Sequence, residues 1–319
     1  MTYARIAGIG SFLPEKVVTN HDLEKIMDTS DEWIRERTGI KRRHIAADNE
    51  TTSSMAVIAA QRAMQMAGVG PDDIDLIIVG TATPDRAFPS TACTIQRQLG
   101  VRGCPAFDLS AACTGFVYGL DVANRFIVSG GAKTAIVIGA ETLSRIVDWE
   151  DRGTAVLFGD GAGAVVLKAD DEAGILATHI HADGEYEELL HVEQGVSAVT
   201  GTAGAYIKME GNAVFRRAVA TFDNIARETI ADVDGHLDDI DWFVPHQANM
   251  RIIKAAAKKL KMPMERVIAT VDEQANTSAA SIPLALDLAI RDGRIQRGQT
   301  LLLAAFGAGF TWGSAMLKY

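Results

Sequence analysis

The chain has 319 residues, of which 48% are hydrophobic and 23% are charged, and its formal net charge is −10. This composition excludes a disordered protein and is typical of a globular chain that can bury more than one core. The acidic balance argues against general nucleic-acid binding, because neutralising phosphates requires a broad basic surface.

Two stretches bear on the compartment of the protein. The first residues, MTYARIAGIGSFLPEK, lack the long apolar core and the small-residue cleavage site of a signal peptide, so we expect a cytoplasmic protein. Residues 300–317 carry no charge and have the length of a membrane span. Because Gly307, Gly309 and Gly313 interrupt this run, it favours two buried strands around a tight loop, and we expect no membrane association.

Strands and helices alternate in the first half of the sequence. Runs rich in valine and isoleucine predict strands at 75–82, 105–111, 134–141 and 163–169. Apolar-periodic runs predict helices at 53–69 and 114–130. This alternation predicts an α/β fold with largely buried sheets.

The second half repeats this plan. A helical pattern at about 213–231 leads to DDIDWFVP at 238–245, and DDIDLIIV at 72–79 begins in the same way 166 residues earlier. The interval is too long for a solenoid repeat and favours a duplicated half-domain. We therefore expect one half in residues 1–170 and the other in residues 171–319.

Cys113 is a candidate nucleophile in the stretch DLSAACTGF. A strand is expected to end near Ala111–Ala112 and a helix to begin near Thr114, which would put the thiol at a helix N-terminus. Unpaired N–H groups and the helix dipole lower the pKa of a thiol there. A buried, unreactive cysteine is the alternative that the residues alone leave open. Cys93 and Cys104 form no C-x-x-C pair, so neither a zinc site nor a disulfide is indicated.

Two polar residues follow the ends of predicted elements in the second half. His246 comes directly after a predicted strand, in VPHQANM. Asn276 precedes a run of small residues, after which a helix is expected to begin near Pro283. Either residue could be a plain structural or capping residue.

Residues 250–261, MRIIKAAAKKLK, form a basic segment in this acidic chain. They carry five positive charges and no negative one. Arg251, Lys254 and Lys258 follow helical spacing and would share one helix face. On residues alone, this face is either solvated or a surface for an acidic partner.

Taken in order, these stretches resemble the thiolase superfamily, and specifically β-ketoacyl-[acyl-carrier-protein] synthase III. The resemblance spans the whole chain and includes TSDEWIRERTGIKRRHIA (29–46), ATPDRAFPSTAC (82–93), DRGTAVLFGDGAGAVVL (151–167), GNAVF (211–215) and FGAGFTWGSA (306–315). It implies a five-layered αβαβα sandwich of two duplicated halves, usually a homodimer. It also implies a condensing enzyme that joins an acyl-CoA primer to malonyl-[acyl carrier protein], with loss of carbon dioxide, at the start of type II fatty-acid synthesis.

The resemblance assigns catalytic roles to residues of this sequence. Cys113 would form an acyl-enzyme, and His246 and Asn276 would stabilise the enolate that forms when the malonyl group loses carbon dioxide. The backbone amides of Cys113 and Ala308 would form an oxyanion hole. The family often has three consecutive glycines where this chain has Ala308 between two glycines, which puts the local backbone in question because alanine disfavours positive φ. No metal and no other cofactor is implied.

The resemblance also assigns binding residues. For coenzyme A it points to Thr29, Trp33, Arg37, Arg152, Phe215, Asn249 and Ile252, with Trp33 against the adenine. Phe88 would close the acyl pocket from across the dimer, and its large ring indicates a short primer such as acetyl. Arg251, Lys254 and Lys258 would dock the acidic carrier protein.

Related alternatives remain open from the sequence. One is a synthase III-like enzyme that uses a longer or an aromatic acyl primer. Another is an acyltransferase that has lost decarboxylation, and a third is a non-enzymatic regulator that binds the carrier protein. Acylation of the intact chain by different acyl-CoA thioesters would separate them.

Overall fold

The computed structural model describes residues 2–193, 195 and 206–319. The strands are β1 (Tyr3–Phe12), β2 (Val17–Thr19), β3 (Arg42–His44), β4 (Leu76–Gly80), β5 (Ala106–Leu109), β6 (Thr134–Glu141), β7 (Gly161–Asp170), β8 (Ile175–Ala182), β9 (Leu190–Val192), β10 (Ile207–Met209), β11 (Trp242–Pro245), β12 (Thr300–Gly307) and β13 (Thr311–Lys318). The helices are α1 (Asn20–Leu23), α2 (Asp31–Thr38), α3 (Thr52–Ala67), α4 (Thr91–Leu99), α5 (Gly115–Val128), α6 (Arg152–Ala155), α7 (Gly211–Asp232), α8 (Met250–Lys259), α9 (Val271–Gln274) and α10 (Ser281–Arg291).

Two larger sheets organise the described residues. The first has the order β1–β7–β6–β4–β5, with β4 parallel to both β5 and β6. The second has the order β11–β12–β13–β8, with β11 parallel to β12 and antiparallel pairs beyond it. Every residue of β6 and of β12 is buried, as expected for strands covered on both faces.

Helices cover both faces of each sheet and so produce five layers. α3 and α4 pack on the outer face of the first sheet, and α5 and α10 lie between the two sheets. α7 packs on the outer face of the second sheet, and the apolar face of α8 joins the same core. The predicted αβαβα sandwich is therefore confirmed.

The internal repeat is visible in matching hydrogen bonds 166 residues apart. The amide of Asp75 donates to the carbonyl of Thr134, and the amide of Asp241 donates to the carbonyl of Thr300, both at 2.9 Å. The two aspartates also accept from the amides of the same threonines, at 3.0 and 2.7 Å. Each repeated D-D-I-D segment thus ties the start of one strand to its neighbour. The boundary between the halves at residues 170 and 171 stays a prediction.

The repeat extends to two short 3₁₀ turns, Ala112–Thr114 and Ser278–Ala280, which contact each other. Ala112 and Ser278 both have left-handed backbone, with φ of 44° and 50°. Cys113 follows Ala112 in the first turn, and Ala279 has the same place in the second. The nucleophile candidate therefore lies where these two matching turns meet.

The uncharged run at 300–317 folds as predicted into two buried strands. β12 and β13 pair antiparallel around a tight loop that contains Gly309, whose φ is 131°. Across the described ranges, the helices are all too short or too polar to cross a bilayer.

Candidate active site

Cys113 lies in the turn that links β5 to α5. The α-helix begins at Gly115 rather than at the expected Thr114, because the chain first makes a 3₁₀ turn. A Cβ atom added to Gly307 would lie 2.8 Å from the amide nitrogen of Cys113, so a side chain at position 307 would clash with the turn. Glycine is therefore required there, and it lets the end of β12 approach the cysteine.

The pKa of the Cys113 thiol is raised to about 12, chiefly because the side chain is buried. The expectation that the helix N-terminus lowers this pKa is therefore wrong. Loss of hydration penalises the thiolate more than the nearby N–H groups favour it. The side chain of Ser278 lowers the pKa, and the charge of Glu141 raises it further.

Within the described part of the chain, two cavities have Cys113 in their walls. The entrance cavity has a volume of about 250 Å³, and its wall includes Trp33, Arg37, Cys113, Phe215, His246, Asn249, Arg251, Ile252 and Asn276. The inner cavity has a volume of about 230 Å³, and its wall includes Ala82, Cys113, Leu143, Leu190, His191, Ile207, Ser278 and Ala308. Cys113 thus forms part of the wall of both cavities, and the inner cavity is the more apolar of the two.

His246 follows β11 and is held by hydrogen bonds on both its backbone and its ring. Its amide donates to the carbonyl of Ala304 at 2.8 Å, and its Nδ1 lies 2.6 Å from the hydroxyl of Ser281. Burial lowers the pKa of His246 to about 3, so the imidazole is neutral at physiological pH. Because Ser281 occupies Nδ1, Nε2 is the ring nitrogen available to a ligand.

Asn276 is fixed between α9 and α10. Its amide donates to Leu157 at 2.9 Å, and its carbonyl accepts from Gly159 at 3.0 Å. Its side-chain oxygen accepts from the amide of Ser278 at 2.9 Å. The side-chain NH₂ group therefore remains as the donor that Asn276 can offer to a substrate.

Ala308 fits the loop between β12 and β13 without positive φ. Gly309 takes the unusual conformation instead, with φ of 131°. The methyl group of Ala308 therefore does not force a different backbone, which answers the question raised by the missing glycine. Ala308 and Cys113 both line the inner cavity.

The aromatic ring of Trp33 is flanked by two guanidinium groups. Arg37 and Arg152 lie 4.9 and 5.0 Å from its centroid, within cation–π range. Arg152 also donates to the carbonyl of Asp28 at 2.9 Å. These three predicted coenzyme A residues, from α2 and α6, are therefore brought together at the mouth of the entrance cavity.

The other predicted coenzyme A residues differ in position. Phe215, Asn249 and Ile252 line the entrance cavity, although Asn249 also caps α8 and donates to the carbonyl of Arg37. Thr29 is outside the walls of both cavities and is half-buried. Its neighbour Ser30 caps α2.

The remaining predicted residues lie on the surface. Phe88 is 85% exposed and lines neither cavity in the single chain. Lys254 and Lys258 are exposed on α8, opposite its buried face. Arg251 lies over the ring of Phe215, at 5.3 Å, and so contributes to both the basic surface and the cavity wall.

Three residues beside the site were not identified from the sequence. Ser281 bonds His246, Ser278 bonds Asn276, and Glu141 is a fully buried carboxyl group at the end of β6. The signal for Glu141 was present in the run TAIVIGAE, where one acidic residue ends a strand that is otherwise apolar. A charge at such a position is rarely buried without a partner.

Comparison with known proteins gives one consistent result. Family profiles described as 3-Oxoacyl-[acyl-carrier-protein (ACP)] synthase III and its C terminal match residues 107–184 and 230–319. The β-ketoacyl-[acyl-carrier-protein] synthase III of Thioalkalivibrio sulfidiphilus is 63% identical and covers 100% of both chains. Crystal structures of 3-oxoacyl-[acyl-carrier-protein] synthase III from Aquifex aeolicus and Thermus thermophilus are 50% and 43% identical, each with a TM-score of 0.94. They cover 99% of this chain and 100% and 99% of their own.

Sequence identity of this extent, together with the shared five-layered fold, shows that the chain belongs to the β-ketoacyl-[acyl-carrier-protein] synthase III family of condensing acyltransferases.

Proposed function

We propose that this enzyme condenses acetyl-CoA with malonyl-[acyl carrier protein] to give a 3-oxoacyl-[acyl carrier protein], the first step of type II fatty-acid synthesis. The observation that carries the proposal is the shared wall of the two cavities. Cys113, His246 and Asn276 line the entrance cavity, and Cys113 also lines the inner cavity. A nucleophile in that position can hold an acyl group in one chamber while the second substrate enters the other.

In the first half-reaction, Cys113 attacks the thioester carbonyl of the acyl-CoA and coenzyme A leaves as a thiolate. Sulfur suits this step because one thioester replaces another of similar energy. The amides of Cys113 and Ala308 are the proposed donors to the negative oxygen. Each such donor contributes about 2.7–4 kcal/mol to lowering the barrier.

In the second half-reaction, His246 and Asn276 donate hydrogen bonds to the thioester carbonyl of the malonyl group. Their free donors are Nε2 of the imidazole and the NH₂ group of the amide. The carbonyl oxygen becomes negative as carbon dioxide leaves, so both bonds strengthen in the transition state. The enolate carbon then attacks the acyl group and displaces the Cys113 thiolate. This chemistry needs no metal or other cofactor, because decarboxylation itself supplies the carbanion.

Coenzyme A binds at the mouth of the entrance cavity in this proposal. The Trp33 ring offers a stacking surface to adenine, and Arg37 and Arg152 offer charge to the phosphates. The proposed set is completed by Thr29, Phe215, Asn249 and Ile252.

The carrier protein docks on Arg251, Lys254 and Lys258 of α8, a local positive surface on a chain of net charge −10.

We also propose a homodimer, because β5 ends its sheet with an unpaired edge within the described residues. The exposed Phe88 would then reach the inner cavity of the partner subunit and limit the primer to a short acyl group. The proposed compartment is the cytoplasm, where thiols such as Cys93 and Cys104 stay reduced.

The test follows the two half-reactions separately. Incubation with labelled acetyl-CoA or octanoyl-CoA, followed by intact mass and peptide mapping, should show acylation of Cys113, with acetyl preferred. Cys113→Ser should lose this label, and Cys93→Ser, the matched control, should keep it. His246→Ala and Asn276→Ala should accept the acyl group yet release carbon dioxide from malonyl-[acyl carrier protein] at least 100-fold more slowly. Label on Cys93 or Cys104, with Cys113 unmodified, would contradict the assignment.

A further inference from the structure

Glu141 is a buried carboxyl group that the proposed reaction has not used. It ends β6 with no exposed surface. Its oxygens accept from the amide of Ala82 at 3.1 Å and from the hydroxyl of Thr83 at 2.5 Å. The hydroxyl of Thr81 is a further donor, at 3.3 Å. All three donors belong to the segment that follows β4, and Ala82 lines the inner cavity beside Cys113.

Ser278 lies between this carboxyl group and the nucleophile. It is buried, and it lines the inner cavity together with Cys113. The turn that carries Ser278 contacts both the turn of Cys113 and β6, the strand that ends at Glu141. The Ser278 side chain lowers the pKa of Cys113 and the pKa of Glu141. The amide of Ser278 is fixed by the side chain of Asn276, at 2.9 Å. The backbone of Ser278 is left-handed, with φ of 50°, and its turn contacts the turn of Cys113.

The thiol needs a proton acceptor that the other site residues do not supply. A proton on Cys113 must leave when the sulfur attacks, since the thiol pKa is about 12. His246, with a pKa lowered to about 3 by burial, is a poor base. Burial raises the pKa of Glu141 to about 7, which is near the value at which a general base works best at physiological pH. The elements around Glu141 also carry Asp85, which is bonded to Ser53 at the start of α3.

We propose that Ser278 and Glu141 form the route by which Cys113 loses its proton during acylation and regains it after condensation. Ser278 is the group beside the reacting sulfur, and Glu141 is a positioning residue and proton store that acts through it. The inference rests on the proposed function, because it concerns the acylation of Cys113.

Over the two half-reactions, Cys113, Ser278 and Glu141 each regain the proton state in which they began. In acylation, the bond between sulfur and the acyl carbon forms, and the bond from that carbon to coenzyme A breaks. The thiol proton passes to Ser278 Oγ as the Ser278 proton passes to a Glu141 oxygen, and solvent protonates the coenzyme A thiolate. In condensation, the leaving Cys113 thiolate takes a proton from Ser278, which recovers its own from Glu141.

The experiment measures single-turnover acylation of Cys113 by acetyl-CoA from pH 5.5 to 9.5. The wild-type rate should rise with an apparent pKa near 7, as Glu141 becomes the carboxylate that can accept a proton. Glu141→Gln should lose this rising limb and be about 100-fold slower at pH 7.5, the usual contribution of a general base. Ser278→Ala should show the same loss while leaving the bonds of Glu141 to residues 81–83 in place.

Asp160→Asn is the matched control, because Asp160 is another buried carboxyl group but bonds to Ser144 and Ala46 instead. It should keep the wild-type pH profile. If Glu141→Gln does not fold, as judged by its thermal transition, Ser278→Ala decides the question. Folded variants that keep the wild-type profile, or that are slowed equally at every pH, would overturn the inference. Absence of acylation at Cys113 in the wild type would instead contradict the proposed function.

Discussion

At the scale of single residues, the proposed nucleophile Cys113 is in its neutral form before a substrate binds. Burial raises the pKa of Cys113 to about 12, whereas Cys93 is exposed. Oxidation and alkylation proceed through the thiolate, so the raised pKa slows both reactions at Cys113. Reactivity then depends on the substrate, because the thiol must be deprotonated while a thioester is in place.

The hydrogen bond between Ser281 and His246 leads to a prediction at this scale. A hydroxyl that donates to Nδ1 keeps the ring proton on Nε2, the nitrogen proposed to bond the malonyl thioester. Ser281→Ala removes this preference, and we expect about 10-fold slower decarboxylation with acylation of Cys113 unchanged. Carbon dioxide release from malonyl-[acyl carrier protein] measures the first quantity, and intact mass measures the second.

Ser281→Thr is the control for this prediction, because it keeps the hydroxyl group and should retain most of the decarboxylation rate. Equal losses of acylation and decarboxylation in Ser281→Ala would mean that Ser281 supports the packing of α10 rather than the state of the imidazole ring. Thermal melts of both variants establish that they are folded.

At the scale of elements, sequence patterns predicted most of the long strands and helices. The run 134–141 matches β6, and the helix expected at 53–69 is α3. Ends of elements were less accurate: α10 begins at Ser281, before Pro283, because a short 3₁₀ turn feeds directly into it.

The candidate site was predicted in its residue types but not in its electrostatics. The sequence around Cys113 shows a helix start, which predicts a lowered pKa, but burial depends on β12, α10 and the second turn, far away in sequence. The roles inferred for Ser278 and Glu141 likewise depend on contacts between halves that no local pattern contains.

The exposed lysines of α8 allow a clean test of carrier docking. Lys254 and Lys258 are exposed and line neither cavity, unlike Arg251. Changing both to Glu should raise the KM for malonyl-[acyl carrier protein] at least 10-fold at low salt, with little effect on acylation by acetyl-CoA. The difference should shrink as salt rises, because exposed charges are screened beyond about 8 Å at physiological ionic strength.

Lys133→Glu with Lys168→Glu is the matched charge control. Lys168 pairs in register with Thr134 at the start of β6, the end away from Glu141. This variant changes net charge by the same amount and should leave the KM near the wild-type value. A similar rise in both variants would show an effect of overall charge and would contradict docking on α8.

At the scale of the whole molecule, β5 is the strand at which we expect a second copy of the chain to pair. Its outer edge pairs with no other strand within the described chain, since β4 is its sole sheet neighbour there. Pairing of two such edges would join two five-stranded sheets into one. The exposed Phe88 precedes α4, which packs against β5, so the same association would bring it towards the second copy.

Ala106→Pro tests this association. The amide of Ile77 bonds Pro105, so position 106 points its main chain away from β4. Proline removes the N–H group that a partner strand would use, and we expect light scattering to shift from a dimer towards a monomer. Ala106→Ser keeps the N–H group and should remain dimeric. A wild-type monomer, or an unchanged dimer in Ala106→Pro, would contradict the proposed edge pairing.

The joined halves have a consequence for how such a site can change over generations. Were the halves separate identical chains, a substitution in one turn would appear in the other as well, and two cysteines would face each other. Because one chain carries both, each turn can mutate alone: one has Ala112 and Cys113, and the other has Ser278 and Ala279. A single chain can therefore give its two matching turns different tasks, which an assembly of identical chains cannot do.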